Sequence, residues 1–121
     1  MSINCTISLR WDSTPEQQRA LGVALWRWCH RAVRSVGMYP YLDNQALADL
    51  LAGRLPAPGA TGWDAGLPYV QFTVPGDPAR DGEATRESLR RGIQGEGVAE
   101  IRVQGSGRRL ADGASLKTAT V

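Results

Sequence analysis

INCTISLRW, residues 3–11, alternates without a break: Ile3, Cys5, Ile7, Leu9 and Trp11 fall on one side, Asn4, Thr6, Ser8 and Arg10 on the other. Successive side chains of a strand point to opposite faces, so this period of two predicts a strand with one buried and one wet face. The pattern returns twice. PYVQFTVPG, residues 68–76, sends Val70, Phe72 and Val74 inward and ends on a Pro-Gly turn, while VAEIRVQ, residues 98–104, sets Ala99, Ile101 and Val103 against Glu100, Arg102 and Gln104. Strands that are each wet on one side make a sheet that helices cover on one face only.

The segments between these strands carry helix signals. In DSTPEQ, Thr14 caps a helix whose first residue is Pro15, and Gln17 completes a capping box. Gly37 and the Tyr39-Pro40 pair end that helix near Val36. LDNQALADLL predicts a second helix over residues 43–52, with Asp43 as cap, Leu42 and Leu47 as a hydrophobic staple, and Gly53 as terminator. A third is expected over roughly residues 82–93, since Glu83 and Glu87 lie early and Arg90 and Arg91 late, the sense the helix dipole favours. Its apolar stripe is thin: Ala84 or Thr85, then Leu89 and Ile93.

The order β-α-α-β-α-β implies an α+β two-layer sandwich, with a three- to four-stranded sheet covered on one face by two to three helices. A fourth, edge strand is expected in the C-terminal tail. A ferredoxin-like arrangement is close, but its second strand would fall where the helix over 43–52 is read. The length of 121 residues fits a single domain, 1–121. Residues 54–68, rich in Gly and Pro and without periodicity, form a long loop, and the tail 106–121 either adds a hairpin or frays.

Composition narrows the function classes. Charge is nearly balanced, 14 basic against 12 acidic residues, which gives no dominant basic stripe of the kind nucleic-acid binders carry. No stretch approaches the roughly 18 uninterrupted apolar residues of a membrane span, and the first residues alternate instead of forming a greasy leader, so no membrane partner and a cytoplasmic location are expected. Cys5 and Cys29 both fall on apolar faces and read as buried thiols.

LWRWCHRAVR, residues 25–34, gathers two tryptophans, the single histidine, a cysteine and three arginines. On a helical wheel Leu21, Leu25, Trp28, Cys29, Ala32, Val33 and Val36 share one side with Trp26 at its edge, an arc of about 160°, so the tryptophans read as core or core-edge residues. His30 lies off that arc and diverges by about 100° from Cys29, which removes a nucleophile–base pair by adjacency. One histidine and two cysteines on separate elements supply no metal set, and neither phosphate-cradling glycine loops nor a GxSxG elbow occurs. No catalytic residue, metal or cofactor is therefore expected.

What remains is surface. Arg27, Arg31 and Arg34, at i, i+4 and i+7, form a ridge opposite the core, readable either as solvated cations late in a helix or as a contact surface for carboxylates or phosphates. Trp63-Asp64 in the long loop either tucks against the core or stands out as an aromatic anchor. The expected function is a small non-enzymatic interaction protein, an adaptor, inhibitor or immunity-type binder, using Arg27, Arg31, Arg34, Trp63 and Asp64 on a protein partner. The alternative is a nucleic-acid-binding module that uses the same arginines on phosphates, and an enzyme of unknown type comes third. Unpaired strand edges leave a homodimer open.

Overall fold

A computed structural model describes residues 2–36, 41–58, 66–93, 95 and 97–106; the side chains of residues 32–36, 41 and 42 fall outside that description. The elements run β1 (Ser2–Leu9), α1 (Pro15–Val36), β2 (Tyr41–Leu42), α2 (Asn44–Leu51), β3 (Tyr69–Pro75), α3 (Pro78–Ile93) and β4 (Val98–Val103). The strands form one antiparallel sheet in the order β2-β3-β1-β4. The α+β sandwich read from periodicity is thus present, with one addition. β2 pairs Tyr41 with Thr73 and Leu42 with Phe72, then stops, because the Asp43 carboxylate takes the N–H groups of Gln45 and Ala46 and starts α2. Strand order and senses are those of the ferredoxin-like arrangement, with the second strand cut to two residues and α2 inserted after it. Second strand and second helix therefore coexist.

The alternating residues meet as predicted. Ile3 faces Val74, Cys5 lies between Phe72 and Val103, and Ile7 lies between Val70 and Ile101. These side chains share one hydrophobic cluster with Leu21, Leu25, Trp28 and Cys29 of α1, Ala46 and Leu50 of α2, and Leu89 and Ile93 of α3. The helices thus cover one face. On the other face Asn4, Gln71, Glu100 and Arg102 are exposed, yet Thr6 and Ser8 are buried. Both are small and central, Thr6 between Gln71 and Arg102, Ser8 between Tyr69 and Glu100, so longer neighbours shield them.

Local signals set the helix ends. Thr14 and Gln17 exchange side-chain-to-backbone hydrogen bonds of 2.9 and 3.1 Å, closing the capping box at the start of α1. Gly53, at φ 76°, supplies the left-handed residue after α2.

Three expectations are corrected. α3 begins at Pro78, one turn before the expected residue 82: Asp77 caps it by accepting the Ala79 N–H, and its own N–H is taken by Asp81. Gly82 lies inside the helix, where the absence of a side chain lets α3 sit directly on the turn after β4; a Cβ there would come 2.5 Å from the Gln104 carbonyl oxygen. The thin stripe accordingly uses Gly82, Leu89 and Ile93, while Ala84 is exposed. In β4 the register shifts between Ser8 and Leu9, so Val98 pairs with Leu9, half-buried, and Ala99 is exposed instead of inward. The expected C-terminal edge strand lies outside the described residues.

Candidate outer face of the first long helix

Trp26 and Trp28 part company in α1. Trp28 is buried, its ring edge-on to Phe72 and its Nε1–H donated to Ser88 Oγ on α3 at 3.0 Å. Trp26 leaves the core. At Gly22 the helix lies close against α2, a Cβ there coming 3.0 Å from Leu51 Cδ2, and Trp26 stands one turn on and about 40° further round toward solvent. It is 47% exposed, at the outer limit of the core-edge place that the helical wheel gives it.

Around Trp26 a compact group forms. The His30 ring, one turn later, stacks on the indole with centroids 3.8 Å apart and planes tilted by 36°. His30 Nδ1 lies 3.3 Å from the Trp26 carbonyl oxygen, a contact in which Nδ1–H donates, leaving Nε2 as an acceptor in the neutral ring. Arg27 and Arg31 are exposed and complete, with Trp26 and His30, the lining of a shallow hollow of about 190 Å³. Arg31 is placed by a neighbour that lacks a side chain: its Nη2 and the Trp28 ring occupy the space beside Gly92 of α3. Val23, 39% exposed, extends the Trp26–His30 stripe by one turn toward the start of the helix.

The arginines differ in their pairing. Arg10, Arg54, Arg80, Arg90, Arg91 and Arg102 each lie within 3.5 Å of a carboxylate. Among the described residues Arg27 and Arg31 have no carboxylate in ion-pair range, a state shared by Arg19, earlier on α1, and Arg86 on α3. Of the expected ridge, Arg27 and Arg31 stand together; Arg34 occupies a helical position in α1, but its side chain lies outside the description, and Trp63 and Asp64 lie outside the described residues altogether. Val23, Trp26 and His30 were not among the expected contact residues, although their i, i+3, i+7 spacing and their angle to the core stripe carry the signal.

Elsewhere the chemistry is closed. Cys5 is wholly buried, its thiol pushed up to about 12 by desolvation and then by Cys29; burial alone pushes the Cys29 thiol up to about 11. Both are free thiols, and both point inward while His30 is exposed. A narrow apolar cleft of about 110 Å³ lies between α1, the end of α3 and the start of β4, with Leu21, Ala24, Ile93 and Val98 on its walls. Gln18 is buried and donates to Ser13 through Nε2, while its Oε1 has no partner among the described residues. No three His, Cys, Asp or Glu side chains converge among the described residues, and no described helix is long and apolar enough to cross a membrane. Comparison with protein-family models, curated proteins and solved structures finds no match to the chain.

Proposed function

We propose that this protein is a small non-enzymatic interaction module that acts by docking the outer face of α1 against another macromolecule. One observation carries the reading: a half-exposed tryptophan stands beside two arginines that have no carboxylate of their own among the described residues. Tryptophan and arginine dominate the binding energy of protein interfaces, where a flat indole buries a large area and a guanidinium forks onto an acidic group. Leaving Trp26 in water has a cost in solvation that a partner would recover. A protein partner is the leading assignment, in an adaptor, inhibitor or immunity-type role, and the free thiols Cys5 and Cys29 suit the reducing cytoplasm.

Nucleic acid is the second reading, since an exposed aromatic flanked by arginines also stacks bases and grips phosphates. The two separate by salt: phosphate contacts make affinity fall steeply as ionic strength rises. The test is recovery of tagged protein from its native cell, with and without nuclease, for the parent and for Trp26→Ala/Arg27→Glu/Arg31→Glu. A specific macromolecule that disappears in the variant, with the melting temperature of the variant kept, is the expected result. An unchanged set of recovered molecules would refute the docking assignment, and unfolding of the variant would make these side chains structural.

A further inference from the structure

We infer that the partner of the α1 face is a protein presenting an amphipathic acidic helix, with two carboxylates one turn apart received by Arg27 and Arg31 and an apolar stripe lying on Val23 and Trp26. The inference rests on the docking assignment above and adds the chemistry of the occupant. It starts from how positive charge is distributed. The net charge is only +2, and of the described arginines outside α1 all but Arg86 are held by Glu87, Asp81, Glu100, Asp12 and Asp49. Among the described residues the other uncompensated cations, Arg19, Arg27 and Arg31, all lie along α1, and no described basic track continues beyond it for a polyanion to follow. A nucleic-acid backbone gains affinity by neutralising many phosphates in succession, whereas a pair of carboxylates needs only a pair of guanidinium groups.

Layout points to a helix as the occupant. Val23, Trp26 and His30 make one stripe along α1, and Arg27 and Arg31 make a second stripe beside it. Both run along the axis, over about 12 Å from residue 23 to residue 31. An amphipathic helix lays an apolar and an acidic stripe side by side on one surface, with residues four apart about 6 Å from each other, matching Arg27 and Arg31. A strand cannot do so, because its alternate side chains leave by opposite faces. The exposed Val23 favours protein over nucleic acid again, since an aliphatic side chain packs on apolar groups and offers bases no flat surface to stack on. Exposed Leu51 of α2, which abuts Gly22, widens the apolar side.

The test places a benzophenone amino acid at position 23 in the full chain, with the same group at exposed position 84 on α3 as control, and cross-links in the native cell. The captured peptide is identified and synthesised, and its affinity is measured against the parent and against Arg27→Glu/Arg31→Glu. Capture by itself decides nothing. The expected result is a helical segment with two acidic residues three or four apart, bound at least about tenfold more weakly by the charge-reversed variant and restored when those two acids become arginine. A captured segment without such a pair, or one that the reversal does not rescue, overturns the acidic-helix inference while leaving docking by α1 intact. Nuclease-sensitive adducts overturn it in favour of nucleic acid. No adduct at position 23 above that at position 84 overturns both. Arg27→Gln/Arg31→Gln, which removes charge without reversing it, gives a second reading of the same loss should the glutamates disturb the fold.

Discussion

Replacing Gly82 by alanine sets a local rule against a tertiary one. Glycine inside a helix is less stable than alanine by about 1 kcal/mol, so propensity alone predicts that Gly82→Ala stabilises α3. The packing of α3 on the turn after β4 predicts the reverse. The new Cβ would lie 2.5 Å from the Gln104 carbonyl oxygen, 2.9 Å from the Gly105 carbonyl carbon and 3.0 Å from its Cα. All three are backbone atoms and none can rotate away. Relief needs α3 or the turn to move, and Gly105, at φ 85°, itself leaves no room for a side chain against Pro78. Overpacking of this kind costs about 1–3 kcal/mol, and with contacts at backbone the upper part of that range applies, leaving a net loss of about 1–2 kcal/mol after the propensity gain. For a chain of this size that is a fall of about 4–8 °C in melting temperature. Urea unfolding should show a lower midpoint with an unchanged slope. Ala84→Gly, two residues on at an exposed site, should also destabilise by about 1 kcal/mol, through propensity alone. Opposite substitutions would then act in the same direction. A Gly82→Ala protein as stable as the parent, or more so, would refute the close approach of α3 to the turn.

Three further outcomes are expected. Cys5 and Cys29, with thiols pushed up to about 12 and about 11, should be inert to a disulfide reagent near pH 8 in the native protein and should both react on unfolding; prompt native labelling of either would contradict their burial. Trp28→Ala should cost about 3–5 kcal/mol and Ser88→Ala about 1 kcal/mol, whereas Trp26→Ala should stay within about 0.5 kcal/mol; equal losses at the two tryptophans in chemical denaturation would place Trp26 in the core. The Asp81 carboxyl is held below its usual range, first by the Arg80 guanidinium and then by the Asp77 N–H, so its contribution is present above the unfolded-state value and is lost as pH falls through the lower folded one. The stability gap between the parent and Asp81→Asn should therefore be open near neutral pH and closed by about pH 2, and a gap independent of pH would deny that contribution.

What the sequence disclosed was what neighbours in the chain decide. Thr14 with Gln17, and Asp43 with the amides it accepts, are set within four residues, and the alternation of residues 3–9 and 69–75 needs nothing beyond itself. Failures came where a distant element decides. Gly82 looks like a boundary until the turn at Gln104 and Gly105 is seen against it, and this masked the start of α3 at Asp77-Pro78. The shift that exposes Ala99 belongs to the pairing of two strands, not to either one. Two residues of β2 are too few to show any period. At the candidate site the arginine positions follow from the wheel, and Glu87, Asp49 and Glu100 pair with arginines within five residues, but whether a carboxylate of another element reaches Arg27 or Arg31 is decided by packing. The same wheel sets Trp26 at the edge of the apolar arc and Trp28 within it, so the difference in their burial was legible in part from angle.

The order β2-β3-β1-β4 also governs the route by which the molecule assembles. β1 is made before the other elements and ends at the centre of the sheet, yet its partners arrive late: Asn4 pairs with Thr73, and its N–H reaches the Gln104 side chain across a sequence separation of 100. Contacts so distant along the chain slow folding, because most of the polypeptide must be confined before they form. During synthesis Ile3, Cys5, Ile7 and Leu9 emerge before either partner strand, and α1, whose Leu21, Leu25, Trp28 and Cys29 share their cluster, is the next element along the chain. The apolar face of that helix thus offers the greasy side of β1 a partner near in sequence, whereas β3 and β4, which close the sheet around it, are distant.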